Sequence, residues 1–178
     1  MLVCFGVNAQ VEVKAPNDFV LQCGSKNSPV KLEVNEKPTD MFYLYTARSE
    51  KYESSSAVFY GTMEEYTYSE NSEGRLFPYG IKITEYYLTW VSHDELHFNK
   101  ERSTSSYHNP VKFKIYRSSL EVEHNEDKLF KKPAWVSRCR LITESEFGKI
   151  HFDYQMKYWA DQKQAEEELN ERIKENKI

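Results

Sequence analysis

Along most of this chain apolar and polar residues alternate one for one, and no other property narrows the fold so far. Val30, Leu32 and Val34 alternate with Lys31 and Glu33; Ile81 and Ile83 flank Lys82; Leu88 and Trp90 flank Thr89; Leu96 and Phe98 flank His97. Val111, Phe113 and Ile115 alternate with Lys112 and Lys114, and further strand-like runs are Phe19–Gln22, Phe42–Thr46, Ala57–Met63, Leu120–Val122 and Ser137–Thr143. Successive side chains of a strand point to opposite faces, so this period marks strands with one buried and one solvated face, the habit of antiparallel sheet. Turn-forming clusters separate the runs: Gly24–Pro29, Asn35–Pro38, Glu70–Gly74 and Ser92–Asp94, with a longer serine-rich loop over Asn99–Pro110. Many short strands at close spacing predict a mainly β fold, an antiparallel β-barrel or β-sandwich, rather than a parallel sheet with crossover helices. An aromatic share of 15%, with 13 tyrosines and 10 phenylalanines, supports that reading, because such rings suit a pleated, half-buried surface.

The pattern changes after Phe152. From about Tyr154 to Lys174 the residues are good helix formers, with Asp153 available as a cap. Tyr158, Ala165, Leu169 and Ile173 fall on one narrow stripe with Met156 and Trp159 beside it, and the other face is charged. The chain therefore divides into a β domain over residues 10–152 and a polar C-terminal helix over 153–178. That helix packs on the sheet, or projects and pairs with a partner or with a copy of itself.

The start of the chain points to export. Residues 1–9 are apolar and small, and Val7-Asn8-Ala9 fits the small-x-small pattern before a signal-peptidase cut, so the segment reads as a signal-peptide remnant; the alternative is a buried first strand over Leu2–Val7. Removing residues 1–9 takes Cys4 away and leaves Cys23 and Cys139 as a pair. A disulfide between them would require an oxidising compartment, secreted or periplasmic; otherwise both are free, buried cysteines in a cytoplasmic or virion protein.

At this point the layout resembles a group of small exported, uncharacterised cysteine-paired β-proteins of bacteria and their phages. The resemblance runs from residue 10 to about 143 and rests on Val20-Leu21-Gln22-Cys23-Gly24, Ile83-Thr84, Ile115–Val122 and Cys139-Arg140-Leu141-Ile142. Tyr116 stands where the group has an acidic or amide residue, and the C-terminal helix is additional. The group implies an exported β domain and carries no catalytic residues over to this chain.

No chemistry-bearing motif stands out. His93-Asp94-Glu95-Leu96-His97 lacks the helical spacing of a zinc protease, and its side chains read as a polar turn and a strand edge, so no metal is expected. Glu121, Glu123, Glu126 and Asp127 around His124 read as a solvated face, Glu64 and Glu65 as opposite faces of one strand. Cys139 with His151, or a serine of Ser54-Ser55-Ser56, would be the nucleophile–base combinations, and neither has a supporting motif. The tyrosines at 43, 45, 52, 60, 66 and 68 read first as core and margin residues, and second as a binding surface. The net charge of −4, with the Lys128, Lys131 and Lys132 cluster offset by neighbouring acids, argues against nucleic acid. No run is long and apolar enough for a transmembrane segment. The expectation is a non-enzymatic exported domain without a cofactor that binds a protein partner or a small apolar ligand. The alternatives are a structural component of a phage particle or other assembly attached through the helix and, less favoured, a hydrolase.

Overall fold

The computed structural model describes residues 14–24, 37–51, 58–76, 81–100, 112–124 and 135–175. The expected strand at Val30–Val34, residues 1–9 and the Lys128–Lys132 cluster lie outside them. Among the described residues eight antiparallel strands form a closed barrel: β1 (Phe19–Gly24), β2 (Lys37–Lys51), β3 (Val58–Glu70), β4 (Lys82–Val91), β5 (Glu95–Asn99), β6 (Phe113–Tyr116), β7 (Glu121–His124) and β8 (Trp135–Ile142). Each strand pairs with the next, and β8 returns to β1 with Val20 opposite Ile142 and Cys23 opposite Cys139. Closure gives each of these strands a partner on both sides, which is how an all-β chain limits edge-to-edge aggregation.

One face of the alternation fills the barrel. Leu21, Cys23, Met41, Tyr43, Tyr45, Met63, Tyr86, Leu88, Leu96, Phe98, Ile115 and Val122 form a single buried cluster. Gly61 on β3 is required by this packing, because a Cβ there would strike the Tyr45 ring. The other face is polar over much of the wall. Glu121 pairs with Arg138 at 3.0 Å, Lys114 with Glu123 at 3.6 Å, and Arg140 donates to Gln22 Oε1 at 2.6 Å. An apolar interior inside a charged wall is the inverse of a membrane-spanning barrel, whose outward band is apolar. No described helix is long and apolar enough to cross a membrane.

The outer face of β1–β3 is the exception, and α1 (Glu144–Glu175) covers it. Val20, Phe42, Tyr68, Ile142 and Phe147 are buried together, with Leu44, Tyr66, Ile150 and Tyr154 packed around them. The helix begins at Glu144, not near Tyr154, so the division at residue 152 is corrected. Its cap is Thr143, whose Oγ1 accepts from Glu146 N at 3.1 Å while Glu146 Oε2 accepts from Thr143 N at 2.8 Å, a reciprocal capping box. From there α1 runs back along the barrel, anchored in turn by Tyr154 Oη donating to Asp40 Oδ2 (2.7 Å), Leu76 N donating to Asp161 Oδ2 (2.7 Å), and a bidentate Arg75–Glu168 pair (3.1 and 2.7 Å).

Candidate functional site at the barrel mouth

The barrel has two chemically different ends. In the half towards the end of β7, Tyr43 Oη and His124 Nε2 are hydrogen-bonded to each other, and Tyr86 Oη donates to Glu65 Oε2 at 2.7 Å. Tyr43 is fully enclosed and His124 nearly so. Burial drives the Tyr43 phenol well above its usual range, reinforced by the Glu65 carboxylate and Tyr86. Burial also pushes the His124 imidazole down to about 3, with the Lys100 ammonium acting in the same direction. Both groups are therefore neutral at physiological pH, and their hydrogen bond pairs two polar atoms buried in the core. Alternation on β7 sends Glu121 and Glu123 outward with Val122 and His124 inward, which corrects the reading of His124 as part of a solvated acidic face.

The opposite end opens as a mouth. Pro16, Asn17, Asp18, Phe19, Leu21, Leu96, Ile115, Arg117, Leu120 and Leu141 line a depression of about 260 Å³. Its floor is the top of the barrel core, since Leu21, Leu96 and Ile115 belong to the buried cluster and Phe19 stacks on Tyr45 at 5.0 Å. Its rim is polar. Asp18 Oδ1 accepts from Ala47 N at 2.6 Å, and Arg117 Nη1 donates to Ser92 O at 3.3 Å, so both charged residues are held in place beside an apolar floor.

Two leucines distinguish this depression from ordinary surface. Leu141 is 57% exposed although it stands opposite Leu21, on the face of β8 that continues from the disulfide into the barrel. Leu120, between β6 and β7, adopts φ 54°, a left-handed backbone that a leucine occupies at a cost of about 1–2 kcal/mol. The hairpin enforces it: Leu120 N donates to Tyr116 O at 2.8 Å, and Leu120 O accepts from Cys139 N at 3.1 Å. Glycine or asparagine would meet that geometry without strain. A leucine held there, its side chain on the wall of an apolar depression, is an outlier from which function can be inferred.

Cys23 and Cys139 are joined by a disulfide that closes the seam between the first and last strands, with their Cα atoms 4.2 Å apart. Cys139 is therefore no thiol nucleophile. His151, its imagined base, sits on α1 against the outside of the wall, where Tyr68 Oη meets its Nδ1 at 2.5 Å. Ser54, Ser55 and Ser56 lie outside the described residues. His97 Nε2 meets Glu95 Oε2 at 2.8 Å on the outer wall, next to the Trp90 ring, and burial holds its imidazole below the usual range despite the carboxylate. Among the described residues no three His, Cys, Asp or Glu side chains converge as metal ligands would. Of the clustered tyrosines, Tyr43, Tyr45 and Tyr68 are buried, and Tyr60 and Tyr66 are half-buried; Tyr52 lies outside the described residues.

The chain matches no family model, and no curated protein or solved structure matches it. The sequence marked none of the mouth residues Asp18, Arg117, Leu120 and Leu141 as a site, although the last three fall in runs that carry the resemblance. Only the placement of a leucine directly after Arg117-Ser118-Ser119, in a turn where glycine is usual, could have drawn attention to one of them.

Proposed function

We propose that this chain is an exported, non-enzymatic recognition domain whose barrel mouth receives a short apolar group, foremost the side chain of a partner protein. The observation that carries the reading is Leu120, kept in a strained backbone on the wall of an apolar depression that leaves Leu141 exposed. The interior favours recognition at the surface over carriage of a ligand within. Tyr43, Tyr45, Phe98, Leu21, Met63, Leu88, Leu96, Ile115 and Val122 are fully buried and occupy the barrel centre. A volume of about 260 Å³ falls just below the roughly 300–1,000 Å³ of drug-sized pockets, which suits one apolar side chain. It equally admits the tail of a small apolar ligand, and this is the second reading.

Export is supported by the Cys23–Cys139 bridge, because such bonds persist in oxidising compartments, and it agrees with the resemblance to exported cysteine-paired proteins. The test is a titration of methyl-labelled protein with N-acetyl-leucine amide and, separately, with hexanol. Saturable shifts confined to the Leu21, Leu96, Ile115, Leu120 and Leu141 methyls are expected at millimolar ligand. Shifts spread evenly over the surface, or none, would refute a recognition role for the mouth. A stronger response to hexanol than to the amide would favour the small-ligand reading.

A further inference from the structure

The face of α1 turned away from the barrel carries an apolar ridge. Phe152, Met156 and Trp159 are 59%, 55% and 66% exposed, although Phe147, His151 and Tyr154 of the same helix pack against the wall. At about 100° per residue the three ridge positions lie within roughly 60° of one another, about 140° from Phe147. Their spacing continues in both directions as strict steps of three and four. Lys149, Phe152, Met156, Trp159, Lys163, Glu166, Asn170 and Ile173 form one stripe, all of it exposed. This is the 3.5-residue period of a two-helix seam. It differs from the stripe read in the sequence through Tyr158, Ala165 and Leu169.

We infer that this stripe pairs α1 with α1 of a second copy of the chain in an antiparallel arrangement. Charge along the seam selects both partner and direction. In a parallel pair each position faces itself, so Lys149 would meet Lys149, Lys163 would meet Lys163, and Glu166 would meet Glu166. An antiparallel pair centred between Met156 and Trp159 removes every one of these repulsions. It sets Lys149 against Glu166 of the second copy, Phe152 against Lys163, Met156 against Trp159, and Ser145 against Asn170. The first is an ion pair, the second places an ammonium over an aromatic ring, the third is a sulfur–aromatic contact, and the last joins two polar residues. The overlap from Ser145 to Asn170 spans about 39 Å of helix. Among the described residues nothing obstructs it, because the barrel occupies the other side of α1 along the anchors at Asp40, Leu76 and Arg75.

The size of the contact sets its strength. Large side chains of this kind bury on the order of 200 Å² each. At the observed exposures the three ridge residues supply about 350 Å² per copy, or about 700 Å² for the pair. Standard interfaces bury about 1,200–2,000 Å². The ridge alone falls below that range, so the pair is weak and forms at micromolar concentration or above.

The experiment is sedimentation velocity of the full-length, disulfide-bonded chain from 1 to 200 µM, a range chosen to bracket about micromolar affinity. The expected result is a reversible monomer–dimer equilibrium that Trp159→Glu abolishes. Lys149→Glu or Glu166→Lys alone should weaken it about 5- to 10-fold, and the Lys149→Glu/Glu166→Lys double variant should restore it. Because these side chains are exposed, circular dichroism and the melting temperature of each variant should match the wild type at concentrations where all are monomeric. A wild-type chain that stays monomeric throughout overturns the proposal, as does a dimer indifferent to Trp159→Glu. A dimer that the double variant fails to rescue overturns the antiparallel register. Flotation of monomer with phosphatidylcholine/phosphatidylglycerol vesicles, lost in Trp159→Glu, would assign the ridge to a lipid surface and likewise overturn pairing.

Discussion

The two ends of this barrel are built on the same alternating strands and differ in what fills them. Beyond Leu21 the interior holds buried Tyr43, Tyr86 and His124 with half-buried Glu65, large polar side chains hydrogen-bonded in pairs. At the mouth it holds leucines, an isoleucine and a phenylalanine, with Leu141 open to solvent. At the first end buried polar groups are hydrogen-bonded to one another, and at the mouth apolar side chains reach solvent. The first arrangement stabilises the fold, and the second is what a recognition surface requires.

The largest expected effect lies at the filled end, where the bridge locks β1 to β8. A Cys23→Ser/Cys139→Ser double variant should lose about 4–5 kcal/mol, the loop-closure entropy of a crosslink spanning 116 positions, seen as a drop in the urea midpoint. Acid should attack the same end next. His124 is depressed to about 3 in the folded chain, so the unfolded chain takes up its proton first, near pH 6.5. Its contribution is complete above pH 6.5 and falls by about 1.4 kcal/mol per unit as pH drops towards 3, or about 2 kcal/mol between pH 6.5 and 5. The downward shifts of His97 and His151 act with the same sign. Urea midpoints at pH 7 and 5 measure the slope, and His124→Phe should flatten it.

Two tyrosines on one strand sharpen the comparison further. Tyr43→Phe removes the buried hydroxyl that is hydrogen-bonded to His124 and should cost about 1–3 kcal/mol. The Tyr45 hydroxyl, two residues nearer the mouth, is buried and meets no hydrogen-bond partner among the described residues. Tyr45→Phe should accordingly be neutral or stabilising by up to about 1 kcal/mol. Equal losses at both positions, measured by chemical denaturation, would break the distinction between a satisfied end and an apolar one.

Much of the wall was legible in the sequence because alternation is a local property. Leu96 and Phe98 point in and His97 out, as their order in the chain demands. Alternation misled where the pairing slips. Leu88 and Trp90 read as one face, yet the register shifts between them against β5, so Leu88 is buried while Trp90 is exposed. The helix start was missed for a different reason: Thr143-Glu144-Ser145-Glu146 is a capping box, but it directly follows the strand that ends at Ile142 and was absorbed into it. The Tyr43–His124 pair joins residues 81 positions apart and depends on barrel closure, which no window of sequence contains. The strain at Leu120 is a backbone property, visible only once the hairpin geometry is known.

That leucine also permits the most direct test of the mouth. Leu120→Gly relieves a left-handed backbone worth about 1–2 kcal/mol and gives up a half-buried side chain of similar value, so the two nearly cancel. Unfolding and ligand titration of this one variant should show stability within about 1 kcal/mol of the wild type, together with loss of the N-acetyl-leucine amide response at Leu141. A loss of more than about 2 kcal/mol with the response intact would make Leu120 a piece of the core and contradict the assignment of recognition to this end of the barrel.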